Sequence, residues 1–110
     1  METTAEYDGR WAGSAKADRP GCFNFAVSGD IVNGRADFVI NKGDGGGRYA
    51  GVLGRIWGSV EPGGEMTAKL GKTGFVNGFV YFSFEGDEAR GRMVNEYCEA
   101  DIVMKRNRGA

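Results

Sequence analysis

In seven stretches of this chain every second residue is apolar or tiny, the residues between them are polar or charged, and Gly or Ala fills nearly half of the apolar-side places. A period of two marks a strand with one buried face, since successive side chains on a strand point to opposite sides. The first strand is predicted over Tyr7 to Lys16, with Tyr7, Gly9, Trp11, Gly13 and Ala15 inward. After Asp18-Arg19-Pro20-Gly21 the second covers Cys22 to Ser28, and after Gly29-Asp30 the third spans Ile31 to Ile40 with Val32, Gly34, Ala36, Phe38 and Ile40 inward. A Gly-rich loop over Asn41 to Arg48 precedes the fourth strand, Tyr49 to Val60. Its inward face is Val52, Gly54, Ile56, Gly58 and Val60. Pro62-Gly63-Gly64 turns into a fifth strand pointing Met66, Ala68 and Leu70 inward, and the sixth, Phe75 to Phe84, does so with Val80, Phe82 and Phe84. The seventh points Ala89, Gly91 and Met93 inward. The eighth, Tyr97 to Arg106, points Cys98, Ala100, Ile102 and Met104 one way.

Eight short strands separated by turn signals, with no helical period, predict an all-β fold: an antiparallel eight-stranded up-and-down barrel. Residues 7–106 form its single domain, with a flexible N-terminal tail at 1–6 and a C-terminal tail at 107–110. Such a barrel has an interior just wide enough to be filled by side chains or to hold one small ligand. Val32-Asn33-Gly34 followed by Phe38 and Ile40 recurs as Val76-Asn77-Gly78 followed by Phe82 and Phe84, either a duplicated half-barrel or a chance recurrence. The second strand carries a conflict of register. If Cys22 faces inward to meet Cys98, Phe23, Phe25 and Val27 face outward; either Cys22 sits in the bend before the strand, which is the preferred reading, or a bulge shifts the register, or the strand shows its aromatics to a partner.

Composition narrows the function. The 110 residues hold 20 glycines but only two prolines, and the glycines fall among alternating apolar residues rather than in a collagen-like period. Fourteen basic and fifteen acidic residues are intermixed, leaving no electrostatic footprint for nucleic acid. There is no histidine, which removes Ser-His-Asp and Cys-His nucleophiles and leaves a zinc ion only thiols and carboxylates. No catalytic residue, metal or cofactor is assigned, and the chain is expected not to be an enzyme. Leu70-Gly71-Lys72-Thr73 ends like a phosphate loop, but Met66 stands where the first glycine belongs and a strand follows instead of a helix. Asp44 alone among Gly43 to Gly47 is too few oxygens for calcium. Glu85, Asp87 and Glu88 read as a solvated hairpin turn.

No run approaches the ~20 apolar residues of a membrane helix, and the outward strand positions are mostly charged, unlike those of an outer-membrane barrel. Residues 2–6 read like the start of a mature secreted domain. In that setting Cys22 and Cys98 read as one disulfide; in a cytosolic protein the same two would be buried free thiols. The expected location is extracytoplasmic, periplasmic or secreted.

Two groups of residues are candidates for binding. Trp11, Phe38, Phe82 and Met93 would meet a small apolar ligand inside the barrel, where small inward residues either close the strands tightly around the rings or leave a cavity. Leu53, Trp57, Phe79 and Tyr81 fall on outward positions and would form an aromatic patch for a partner if their strands are neighbours.

Gly9-Arg10-Trp11 on the first strand and Met104-Lys105-Arg106 at the end of the last resemble the calycin group: lipocalins, avidins, fatty-acid-binding proteins and small bacterial metalloprotease inhibitors. The resemblance implies that Trp11 packs on the barrel floor beneath Arg106. In size and in having one cysteine pair the chain is most similar to the metalloprotease inhibitors, which would make Met1 to Glu6 an inhibitory segment, although those proteins bridge cysteines close in sequence. With its V-x-x-G units and terminal Cys-Glu-Ala strand it also resembles Gly-rich secreted bacterial domains of undefined function. The chain is thus expected to be a binding module that takes a small apolar ligand, or alternatively a secreted protein through its tail or outer patch.

Overall fold

The computed structural model describes residues 3–18, 24–42, 52–72, 75–95 and 98–107. Eight strands follow one another: β1 (Gly9–Ala17), β2 (Phe25–Val32), β3 (Arg35–Lys42), β4 (Val52–Ser59), β5 (Glu65–Lys72), β6 (Phe75–Glu85), β7 (Glu88–Asn95) and β8 (Glu99–Asn107). Each pairs antiparallel with the next, and β8 pairs with β1 to close the barrel. Closure leaves no unpaired edge along which another chain could add a strand.

Register sets the width of the barrel. One outer row runs from Arg10 through Asp30, Asp37, Trp57, Lys69, Phe79 and Val94 to Glu99, each residue opposite the next. Glu99 O accepts from the backbone N–H of Asp18. The circuit therefore returns to β1 eight positions beyond its start. Eight strands with a shear of eight tilt by about 36° and enclose an interior filled by layers of side chains. The inward residues match that geometry, with Trp11, Val27, Phe38, Ile56, Val60, Ala68, Val80, Ala89, Ala100 and Met104 all fully buried. No polar or charged residue is buried among those described.

Small residues make room for the rings. Gly29 lies opposite Phe38 and Gly91 opposite Phe82. A Cβ on Gly91 would come within 2.6 Å of the Phe82 ring, and one on Gly29 within 2.8 Å of the Phe38 ring. Each ring thus covers the bare backbone of its cross-strand glycine, and the tight-closure alternative describes these two places.

The β2–β3 hairpin differs from expectation. The turn between β2 and β3 lies at Asn33-Gly34, not at Gly29-Asp30, because both residues adopt positive φ (52° and 79°), as a two-residue primed turn requires. Ile31 is consequently the inward residue, while Val32, expected inside, is 61% exposed. The same fact removes the duplicated half-barrel. Val32-Asn33-Gly34 ends a hairpin, whereas Val76-Asn77-Gly78 lies within β6, at a register shift opposite Leu70 and Gly71. For β2 itself, Phe25 and Val27 face the core. Cys22 lies outside the described residues.

Candidate functional site

At one end of the barrel the chain seals its own floor. Trp11 packs edge-on against Phe84 (5.0 Å between centroids, 88°), and Tyr7 leans on the same ring at 5.3 Å. The Trp11 indole N–H donates to Tyr7 O at 2.8 Å, so the buried nitrogen keeps a partner. The Arg106 guanidinium lies 5.4 Å from the Trp11 ring centre. Its N–H groups donate to Glu6 O (2.9 Å), Asp8 O (3.0 Å) and the Asp87 carboxylate (2.8 Å). One cation thereby ties the N-terminal segment and the β6–β7 turn to β8. Gly9 is shaped for this contact: its φ is +139°, and a Cβ there would stand 3.0 Å from Arg106 Cδ. The Trp11–Arg106 floor implied by the calycin resemblance is present, and the closed eight-stranded barrel is consistent with a calycin-like fold.

From Thr3 onward the N-terminal segment lies against this floor. Thr4 N donates to Val60 O at 3.0 Å, and Thr3 and Thr4 lie over Gly34. Beyond it, the Asp8 carboxylate accepts from Asn33 N (2.7 Å) and Gly34 N (2.9 Å), capping the primed turn of the β2–β3 hairpin.

All four residues assigned to an interior ligand are buried within one core. Trp11 sits on the floor; Phe38 and Phe82 pack edge-on at 6.0 Å, and Phe82 reaches Phe84 at 5.8 Å. Met93, 3% exposed, belongs to the same cluster. These side chains meet one another, and what they offer chemically is apolar contact alone.

The outward candidates stand differently. Phe79 is 45% and Tyr81 52% exposed on β6, as expected. Trp57 is half-buried on β4. Leu53 belongs to β4, at the register shift between Gly54 and Val52, and its side chain lies outside the description. β4 and β6 are not neighbours. β5 runs between them and places Lys69 between Trp57 and Phe79, so the patch is an aromatic row with a cation in it. The row continues to Val94 on β7, 39% exposed, and Phe75 at the start of β6 is 64% exposed. Alternation alone does not single out Phe75 and Val94; their outward apolar character becomes a patch only through register.

Beside this row an open cleft of about 510 Å³ lies on the outer wall of β3 and β4, lined by Arg35, Asp37, Arg55, Trp57, Ser59 and Lys72 among others. Arg55 holds Asp37 in a two-pronged ion pair. Behind Tyr81 a second cleft of about 470 Å³ crosses β5 to β7, bordered by Glu65, Thr67, Arg90 and Arg92. Arg92 is held by Asp18, Asp101 and Glu99 at 2.7–2.9 Å. Those hydrogen bonds, the one to Asp18 foremost, raise its pKa above the ordinary arginine range.

Among the described residues no group of three or more His, Cys, Asp or Glu side chains is placed to hold a metal ion, and no helix is long and apolar enough to cross a membrane. No described cysteine is free. Compared with protein-family models, curated proteins and solved structures, the chain matches none of them.

Proposed function

We propose that the chain is a protein-interaction module that docks through the outer face of β4 to β7. The observation that carries this reading is the row Trp57, Lys69, Phe79 and Val94 in register, extended along β6 by Phe75 and Tyr81. Elsewhere the outer wall carries charges, as in Arg10 and Lys16 on β1 or Asp101 and Lys105 on β8. Aromatic side chains rimmed by polar groups are the composition of binding surfaces rather than of ordinary solvated sheet. Because a closed barrel has no free edge, a partner must be met by side chains and not by strand addition. The alternative of an apolar ligand inside the barrel draws its support from the wholly apolar interior, but a shear of eight favours a filled one.

A photo-crosslinking amino acid placed at position 79, and separately at exposed position 101 on β8, tests the docking face in native extract. A discrete adduct at 79 that disappears with Tyr81→Ser and is missing at 101 is expected. Equal labelling at both positions, or none at 79, overturns the proposal. Native mass spectrometry beside it reads the alternative directly: a small mass released on denaturation would return function to the interior.

Extracytoplasmic placement belongs to the same reading. It rests on the Cys22–Cys98 disulfide inferred from the sequence and on there being no free cysteine among the described residues.

A further inference from the structure

We infer that the cleft beside Trp57 receives an acidic segment of a protein partner, with an aromatic or aliphatic side chain laid on the indole. The occupant's being a protein rests on the outer-face reading; its charge is argued from the cleft itself.

The chain as a whole carries a formal charge of −1, yet its charges are unevenly placed. Arg35, Arg55 and Lys72 line this cleft, and Lys69 stands opposite Trp57 in the ladder. The single carboxylate among the described lining residues, Asp37, is already taken by Arg55. Among the described residues no carboxylate forms an ion pair with Arg35, Lys69 or Lys72. Contrast the far wall, where Arg92 is surrounded by three acids. Here the excess is positive and unmatched, which favours a complementary negative surface and steers it in from solution. Trp57, half-buried within the cleft, supplies the flat apolar contact that makes aromatic residues frequent centres of binding energy. Cations around one aromatic ring therefore select an occupant that alternates carboxylates with apolar groups.

The chain has two tryptophans, and they serve as probe and control. Trp11 is fully buried on the floor and Trp57 lies in the cleft. With 15N-labelled protein at low salt, a random copolymer of glutamate and tyrosine should move the Trp57 indole signal and leave that of Trp11 in place. Arg35→Gln with Lys72→Gln should weaken the interaction about tenfold, the combined effect of two exposed charge pairs, and added salt should weaken it further. A lysine–tyrosine copolymer should leave the Trp57 signal unmoved.

No Trp57 shift with the acidic copolymer overturns the inference. An equal shift with polyuridylate or with inorganic phosphate overturns it as well, by showing a site for any polyanion. The two readings fail separately. Crosslinks at position 79 without a Trp57 shift sink the acidic segment alone, a shift without crosslinks keeps the cleft and moves docking off β6, and neither signal sinks both.

Discussion

Replacing Trp11 by Ala removes the largest side chain of the barrel floor. Trp11 is fully buried, stacked edge-on with Phe84, hydrogen-bonded to Tyr7 O and covered by Arg106. Truncating a buried Trp costs about 3–5 kcal/mol, from lost transfer energy and the cavity that remains. Tyr7 O also loses its donor, and the Arg106 guanidinium loses the ring face against which it lies, so the upper part of that range applies. For a chain of 110 residues, each kcal/mol moves the melting midpoint by about 4 °C, so a fall of about 16–20 °C is expected. Since domains of this kind are stable by only about 5–15 kcal/mol, much of the molecule's margin disappears. Thermal and urea denaturation followed by circular dichroism measure the loss. A cycle with Trp11→Leu and Arg106→Met then isolates the cation–ring contact, expected at about 0.5–2 kcal/mol. A midpoint within a few degrees of wild type would refute the floor assignment. Near-zero coupling would leave the floor intact and reduce Arg106 to its hydrogen bonds.

The remaining predictions concern the same framework. Gly9→Ala places a Cβ at φ +139° and 3.0 Å from Arg106 Cδ, so it should cost about 1–3 kcal/mol in urea melts; an unchanged midpoint would mean the first-strand glycine has no such role. Asp8→Ala leaves Asn33 N and Gly34 N without their carboxylate, and a loss of about 1–2 kcal/mol is expected, with amide exchange at Asn33 and Gly34 as the local readout and unaltered exchange as the contrary result. Trp57→Ser should change stability by no more than about 1 kcal/mol, as for other wall positions, and a larger loss would place the indole in the core. Intact mass under non-reducing conditions should be lighter than the reduced form by one pair of hydrogens, the mark of the Cys22–Cys98 disulfide; two alkylatable thiols in the native protein would remove both the bridge and the argument for secretion.

Much of the architecture was legible in the order of residues, for a local reason. Alternation dictates which side of a strand each residue takes, so the inward faces of β1, β3, β5, β6, β7 and β8 could be read without knowing what they meet. The exposure of Phe79 and Tyr81 followed from the same period. At the β2–β3 hairpin the local signal is ambiguous, because Gly29-Asp30 and Asn33-Gly34 both carry turn residues. The second won: it seats Ile31 in the core and leaves Gly29 under the Phe38 ring.

Relations between strands were decided only on closure. That β5 separates Trp57 from Phe79 with Lys69, that Arg35 and Lys72 come to one cleft, and that Arg106 reaches Glu6, Asp8 and Asp87 are matters of register and shear. Shear is a property of the whole ring: each pairing contributes its own offset, and the sum exists only when β8 meets β1. A chain's alternation encodes faces residue by residue, whereas the width of the barrel and the company each outer side chain keeps are set by the closed circuit.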